Sequence, residues 1–454
     1  MNRFLKLLAT SSLALTTLIG CEQERLSVGE LRCQGVSCAP HHNDLVDEME
    51  VVNDEDEGLA GLSDAAVPGE PEHVRLGDVV GAKRAEVPCP FDGNCRRIAS
   101  RLTRLERDGE TSALVVSVVQ AWNDEAPDEP IDQHGLWFGR YADGEWLSEI
   151  ARGDGLIDTS GSYTLAVATS EVEPADAVVV VSELFGGPTN EHKLQAYAYG
   201  TDDEVELLFE HDEEVRVDDA ALIGDDILVV DSFHSLLELT RYTRDGDIVF
   251  RQSALASADG EISLLGVDVL GQAQLEVIDD DTIVVLIPRD QTYEIAVLDG
   301  SGVVRWSTTV GLPHVSSNTY SAQLTVDDEG GILVGVDGYS FERFERDGDI
   351  LRSRGAGRSR SEFYDLNVYG FDTADSGFSY FGTQDGDRDD RRIILERISP
   401  SLETVQSARI EVDAECGSPF GFGSGTELIV EPDERVAFTL NDDCFLELPL
   451  SVFE

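Results

Sequence analysis

The chain has 454 residues, with 90 Asp plus Glu against 33 Lys plus Arg and a formal net charge of −57. That balance excludes nucleic acid as a partner, because binding it needs cations set against phosphates, and it leaves the body repelled by anionic lipid surfaces. Lysine is confined to Lys6, Lys83 and Lys193, so the positive charge is otherwise arginine; such a surface fits either high-salt screening or plain solubility.

The chain opens with Arg3 and Lys6 and an apolar run from Leu7 to Ile19. This is an export signal over residues 1–20, too short for a stable span. It ends Leu18-Ile19-Gly20-Cys21, which resembles the lipobox of bacterial lipoproteins. The resemblance covers the first 21 residues. It implies cleavage before Cys21, diacylation of the Cys21 thiol and acylation of the new amino group, with about 0.8 kcal/mol of anchoring per buried CH₂. Glu22 stands where an Asp would imply inner-membrane retention. The implied address is therefore the bacterial cell envelope, lipid-anchored at the outer membrane.

Residues 21–97 are expected to form a disordered acidic tether. Asp47-Glu48-Met49-Glu50 and Asn53-Asp-Glu-Asp-Glu-Gly58 are acidic runs, and Gly61, Pro68, Gly69 and Pro71 break any period. Such composition buries too little to offset ordering entropy. Apart from Cys21 there are six cysteines, Cys33, Cys38, Cys89, Cys95, Cys416 and Cys444, an even number that reads as disulfides in an exported protein. Fifteen pairings are open; proximity favours Cys33–Cys38, Cys89–Cys95 and Cys416–Cys444. Cys33, Cys38, His41 and His42 match no zinc spacing. Gly77-Asp-Val-Val-Gly81-Ala-Lys83-Arg84 falls one required residue short of a phosphate loop.

From residue 98 the texture is strand-rich. Ala113–Val119, Ala177–Ser182, Asp226–Val230, Thr282–Ile287 and Gly331–Gly335 are near-continuous apolar runs, the mark of strands covered on both faces. Leu239-Thr-Arg-Tyr-Thr-Arg-Asp-Gly-Asp-Ile248 is repeated as Phe341-Glu-Arg-Phe-Glu-Arg-Asp-Gly-Asp-Ile350, with weaker copies at Leu298–Trp306 and Asp143–Trp146. The Asp-Gly or Ser-Gly pair supplies the left-handed torsions of a two-residue hairpin turn. Gly144 to Gly246 and Gly246 to Gly348 are each 102 residues apart, or two units of about 51, a period that marks propeller blades. The expected fold is all-β: a β-propeller over 98–454, seven-bladed with six or eight as the alternatives. Its blades are expected near 98–153, 160–211, 214–256, 261–311, 318–358, 363–411 and 414–454. Separate β-sandwiches are the competing architecture. Leu102–Glu110 copies the repeat out of phase, which suits either a strand lent to the last blade or a coincidence. Cys416–Cys444 would staple that last blade.

Links between second and third strands should share one rim of the disc. The longest are Asn123–Asp132, Phe185–His192 and Asp385–Arg391. Long loops on a rigid frame are where binding sits, so the expected partner surface is an acidic rim of blades 1 and 6: Asp124, Glu125, Asp128, Glu129, Asp132 and Asp390. Asp385, Asp387 and Asp389 alternate as calcium ligands do, without the Gly and closing Glu of an EF-hand. No other cofactor is implied. No Gly-x-Ser-x-Gly elbow occurs, and His134, His192, His211, His234 and His314 have no paired ligand spacing.

Gly302-Val-Val-Arg-Trp306 resembles the Gly-x-x-x-Trp end of a quinoprotein-like (PQQ-type) propeller repeat, over one blade. Lipoproteins of this architecture include an outer-membrane barrel assembly factor; neither a quinone nor that role is carried over. The expected function is a membrane-tethered, non-catalytic binding propeller engaging a protein or glycan. The alternatives are an envelope lyase or hydrolase with its site at the central channel, and an outer-membrane assembly factor.

Overall fold

Each long apolar run forms the second strand of an antiparallel sheet, and it is apolar on both faces because a further sheet lies on either side. The structure, a computed structural model, describes residues 72–90, 94–107, 110–122, 134–152, 163–169, 177–183, 192–231, 237–252, 272–289, 292–311, 322–326, 330–336, 340–347, 350–358, 368–374, 376–385, 392–412, 428–440 and 444–453.

Two short strands come first, β1 (Glu72–Arg75) and β2 (Lys83–Glu86). Seven meanders follow. Blade 1 is β3 (Asn94–Arg107), β4 (Glu110–Trp122), β5 (His134–Ala142) and β6 (Glu145–Arg152). Blade 2 is β7 (Tyr163–Thr169), β8 (Ala177–Glu183), β9 (Lys193–Tyr199) and β10 (Val205–His211). Blade 3 is β11 (Val217–Ile223), β12 (Asp226–Asp231), β13 (Glu238–Tyr242) and β14 (Ile248–Gln252). Blade 4 is β15 (Gln274–Asp279), β16 (Thr282–Arg289), β17 (Thr292–Leu298) and β18 (Val304–Gly311). Blade 5 is β19 (Ala322–Val326), β20 (Ile332–Val336), β21 (Ser340–Asp347) and β22 (Ile350–Arg358). Blade 6 is β23 (Val368–Thr373), β24 (Ser379–Asp385), β25 (Arg392–Ile398) and β26 (Thr404–Glu411). Blade 7 draws only three strands from the C-terminal end, β27 (Leu428–Val430), β28 (Val436–Leu440) and β29 (Cys444–Leu448).

The first strands of successive blades adjoin one another around a circle, and β27 returns to β3. The protein is a seven-bladed β-propeller. Its cores lie between blades. Leu114, Val116 and Val118 of β4 pack with Leu165, Val179 and Val181 of blade 2, while Val115 and Val119 pack on the other side with Ile429, Ala437 and Phe445 of blade 7. In β16, Ile283, Val285 and Ile287 face blade 3, and Val284 and Leu286 face blade 5. One strand thus feeds two cores, which is why alternation is missing from these runs.

The expected tether of residues 21–97 is corrected over its last part, and with it the domain start at 98. Strand β2 pairs antiparallel with β29, Lys83 opposite Glu447 and Glu86 opposite Cys444, supplying the missing outer strand of blade 7. Strand β1 pairs in parallel with β26, Glu72 opposite Ala408 and Arg75 opposite Glu411, as a fifth strand of blade 6. The ring is therefore closed by the amino-terminal strand. The out-of-phase copy at Leu102–Glu110 does not do so: it is the β3–β4 hairpin inside blade 1, with Arg107 opposite Glu110.

The repeated Asp-Gly turns have a packing reason. Gly246 has φ +89, a torsion that glycine adopts without strain, and an added Cβ would meet the Phe209 side chain of blade 2 at 2.7 Å from its Cβ and 2.8 Å from its ring. Gly302 has φ +82 and a Cβ there would meet the Phe250 ring of blade 3 at 2.8 Å. The outer-strand aromatic of one blade thus sits under the next blade's hairpin. At the closure the Lys83 stem of β2 takes that place under Gly144 of blade 1, so β2 is a true fourth strand. The turn type differs from expectation at Gly246 and Gly302. There the first residue of the loop accepts from the glycine N–H and donates to a residue four positions on, Thr243 with Asp247 and Asp299 with Val303. This is a three-residue hairpin loop with a left-handed third position. Asp143-Gly144 keeps the two-residue form, with both torsions positive.

Of the cysteines, Cys89 and Cys95 are bonded to each other, joining the segment after β2 to the start of β3. Cys444 is disulfide-bonded as well. Cys21, Cys33, Cys38 and Cys416 lie outside the described residues.

Candidate functional site

A four-strand meander puts alternate turns at opposite ends. The first-to-second and third-to-fourth turns therefore share one rim, and the second-to-third and inter-blade links share the other. The first rim is tight. Among the described residues it consists of hairpins such as 143–144, 224–225 and 280–281. The strands that flank 123–133, 153–162, 184–191, 253–271, 312–321, 359–367, 386–391 and 413–427 end at the second rim; those stretches lie outside the described residues. Asp124, Glu125, Asp128, Glu129 and Asp132 fall between β4 and β5, and Asp387, Asp389 and Asp390 between β24 and β25; all lie outside the described residues. Asp385 closes β24 opposite Arg392. Acidity does not separate the rims, since the tight one carries Asp202, Asp203, Glu204, Asp225, Asp280 and Asp281.

The described part of the loop rim lies at blades 2 and 3. His192 opens it, with Nε2 3.8 Å from Glu214 Oε1. Lys193 Nζ lies 3.1 Å from Glu210 Oε1. Arg251 donates to Glu213 at 2.5 Å and to the Tyr242 hydroxyl at 3.1 Å, and its Nε is 3.2 Å from Glu238. Burial pushes the Tyr242 phenol up to about 12, with Glu213 adding to the shift. These pairs are part-exposed, so each contributes little to stability.

Around the centre, side-chain acceptors of one inner strand hold main-chain amides of the next. Asp218 accepts from Ala273 N at 3.0 Å and Asp219 from Leu275 N at 2.9 Å, linking blades 3 and 4. Gln274 Oε1 accepts from Leu324 N, linking blades 4 and 5. Asp372 accepts from Val430 N at 2.6 Å, linking blades 6 and 7. From blade 1, Arg104 donates to the Val430 carbonyl at 3.3 Å and lies close enough to Asp372 to lower its pKa, as Arg101 does for Asp219. Burial nevertheless raises both carboxyls to about 6. Each has its two oxygens engaged by amides, Asp219 by Leu275 and Ala220, Asp372 by Val430 and Thr373. The belt braces the ring, and a carboxylate so engaged is poorly placed to take a substrate's proton.

This belt has a pH signature. An unfolded Asp titrates near 3.9, so between about pH 4 and 6 the folded chain holds protons that the unfolded chain has released, and folding strengthens as pH falls through that window. Glu431, raised to about 7 by burial and by Glu447 and Asp433, acts in the same direction. At fixed ionic strength, the thermal midpoint is expected to rise from about pH 7 to about pH 5, and to rise less in Asp219→Asn with Asp372→Asn. Equal slopes in the two proteins would exclude the belt as the source.

The histidines do not meet among the described residues. His211 Nε2 contacts the Gly246 carbonyl at 2.9 Å and stacks on Tyr242, and His73 contacts Arg409 on the outer edge of blade 6. His134 begins β5, while His234 and His314 lie outside the described residues. Trp306 sits in β18 and packs in the core between blades 4 and 5. No group of three His, Cys, Asp or Glu is arranged to hold a metal among the described residues. Sequence reasoning missed the belt. Its only signal is an acid inside an otherwise apolar inner strand, at Asp218-Asp219 and Asp372.

No family model matches the chain, and no curated protein matches it. Among solved structures it is similar to U3-55K, at 9% identity over 81% of this chain and 98% of that one, with a TM-score of 0.46. It is similar to the C-terminal WD40 domain of Sif2, at 11% identity over 79% and 99%, with a TM-score of 0.41. A protein of unknown function from Bacteroides caccae is 13% identical over 62% and 90%, with a TM-score of 0.38. Likeness at this level carries nothing about function; the ring stands on its own strand pairing.

Proposed function

We propose that this is a lipid-anchored, non-catalytic propeller of the bacterial envelope that binds a protein or glycan through its loop rim. In this reading Cys21 carries the lipid, residues up to 71 are the tether, and the outer membrane is the address. One observation carries the binding reading: the strands that bound the longest connections end on a single rim, whereas the described turns at the other rim are tight hairpins. Long connections on one end of a ring of sheets suit recognition. Tethering raises effective concentration, so individual contacts can be weak. Among the described residues no helix is long and apolar enough to cross a membrane.

The test is capture from detergent-solubilised envelope with the full chain. The comparison variant converts Asp124, Glu125, Asp128, Glu129 and Asp132 to Asn or Gln. A partner enriched by the wild type and depleted about tenfold, or 1.4 kcal/mol, by the variant is the expected result. Equal recovery would overturn the rim as the binding surface. Cys21→Ser is expected to move the protein from the membrane fraction to the soluble one; unchanged fractionation would remove the anchor from the proposal.

A further inference from the structure

The seam that closes the ring holds an unbalanced group of charges. Glu447 of β29 is buried between two cations, Lys83 of β2 at 3.0 Å and Arg435 of the turn between β27 and β28. Arg435 also pairs with the exposed Asp433 at 2.8 Å. Glu431 opens the same turn, its N–H donating to the Arg435 carbonyl at 2.8 Å. Three carboxylates, Glu431, Asp433 and Glu447, thus share Lys83 and Arg435. Blade 1 covers the group. The Lys83 stem lies under Gly144, and a Cβ on that glycine would stand 4.0 Å from the Tyr141 hydroxyl, which is buried and has no hydrogen-bond partner among the described residues.

The surrounding charges do not restore the balance. On β3, Arg104 reaches the Val430 carbonyl at 3.3 Å and Glu106 at 3.5 Å. On blade 6, Arg397 and the Tyr380 hydroxyl hold Glu434. Strand β2 adds Arg84 and Glu86, one of each sign, and Asp143 and Glu145 flank Gly144 at the surface. Burial raises the Glu431 carboxyl to about 7, with Glu447 and Asp433 adding to the shift and Arg435 and Lys83 opposing it.

We propose that Glu431 makes the closing strand a pH-sensitive latch: neutral, it leaves β2 docked on β29 with both cations serving Glu447; ionised, it sets a third carboxylate under the cover of blade 1 and favours release of β2. Release admits water and removes the largest cause of the shift, burial, while the departing Lys83 is the smallest. The freed carboxyl returns toward the ordinary Glu value near 4.3. The docked state therefore holds a proton that the released state has lost. Release becomes easier as pH rises from about 5 to about 7, by about tenfold or more, and levels off above that. The device belongs to the ring itself and does not depend on the rim or its partner.

The test is native-state hydrogen exchange of the full chain at several pH values from about 5 to 8, each rate divided by the intrinsic rate at that pH. Amides of Lys83–Glu86 and Cys444–Leu448 are expected to lose protection about tenfold or more across the window, and those of Thr282–Arg289 in blade 4 to lose less. Glu431→Gln is expected to keep the seam at pH 7 near its protection at pH 5. A wild-type slope in Glu431→Gln, or equal loss in blade 4, would overturn the proposal. If Glu431→Gln fails to keep the wild-type thermal midpoint, Asp433→Asn decides, since Asp433 is exposed: the loss of protection is expected to move to lower pH as Arg435 turns to Glu431, and an unmoved profile would overturn the latch.

Discussion

Phe445→Ala is expected to cost about 3–5 kcal/mol of folding free energy and to open the ring at one place. Phe445 is fully buried on β29 between the closing strand and blade 1. Its ring lies 4.5 Å from that of Tyr141 and 5.9 Å from that of Trp146. Trp146 in turn meets Trp137 edge-on at 5.2 Å and donates its indole N–H to the Glu86 carbonyl of β2 at 3.0 Å. Truncation leaves a cavity between aromatic walls that a sheet cannot collapse to fill. Every other blade draws its four meander strands from one continuous stretch of chain. This one has instead β2, the Lys83–Glu447 pair at 3.0 Å and the Cys89–Cys95 bond, whose sequence separation is 6. A loop so short contributes about 2 kcal/mol through chain entropy, so reduction alone should be milder than Phe445→Ala. Hydrogen exchange is the deciding measurement. Amides of Lys83–Glu86 and Cys444–Leu448 are expected to lose protection first. Uniform loss across all blades would mean that closure is not the weak point.

Asp203→Ala is expected to cost about 3 kcal/mol, from the range for losing one partner of a largely buried ion pair and its charged hydrogen bonds. Asp203 sits in the turn between β9 and β10 with φ +62. It accepts from Arg107 at 2.5 Å, from Arg140 at 3.1 Å through each of its oxygens, and from the Tyr199 hydroxyl at 2.7 Å. Both arginines belong to blade 1, so one carboxylate clamps two blades. Burial works against its ionisation, but the hydrogen bonds from Tyr199, Arg140 and Arg107 outweigh burial and hold its pKa below the usual value. The clamp is therefore intact above pH 4 and is lost only as acid passes the lowered pKa, the opposite direction to Asp219 and Asp372. Two further variants separate the causes. Asp203→Gly relieves the left-handed torsion and leaves the arginines unpaired; Asp203→Asn keeps the torsion and part of the hydrogen bonding. Gly is expected to remain close to Ala in stability, with Asn between them and the wild type. If Gly restores the wild-type midpoint, the torsion, and not the ion pair, was what mattered.

Much of this architecture was legible in residues 98–454. Val115 and Val116 point to opposite cores, so a run of both reads as a strand covered twice. Arg241-Tyr242 and Arg343-Phe344 repeat because the same bulge recurs there, with the register slipping after Arg241 in one blade and after Arg343 in the other. The rim loops fall between the strands that the repeat predicts. The closing strands could not be read in this way. Lys83-Arg-Ala-Glu86 has no apolar alternation, since its inner face needs only Ala85 and the Lys83 stem, and it looks like the acidic segment around it. Asp219 and Asp372 stand out only as acids in apolar strands, and their role was hidden because each answers an amide donor on another blade.

The sequence alone determined the strand-and-turn period, hence seven sheets. These are local properties: a side chain's polarity sets which face it occupies, and a glycine sets where the chain turns. Tertiary structure alone decided that β2 completes blade 7, that β1 widens blade 6 and that carboxylates brace the hub. The two strand pairings join residues more than 300 positions apart, such as Glu72 with Ala408 and Lys83 with Glu447, and the hub carboxylates reach more than 50 positions to the next blade. Main-chain hydrogen bonds carry no residue code, so such partners are chosen by which edge remains open once the ring has formed.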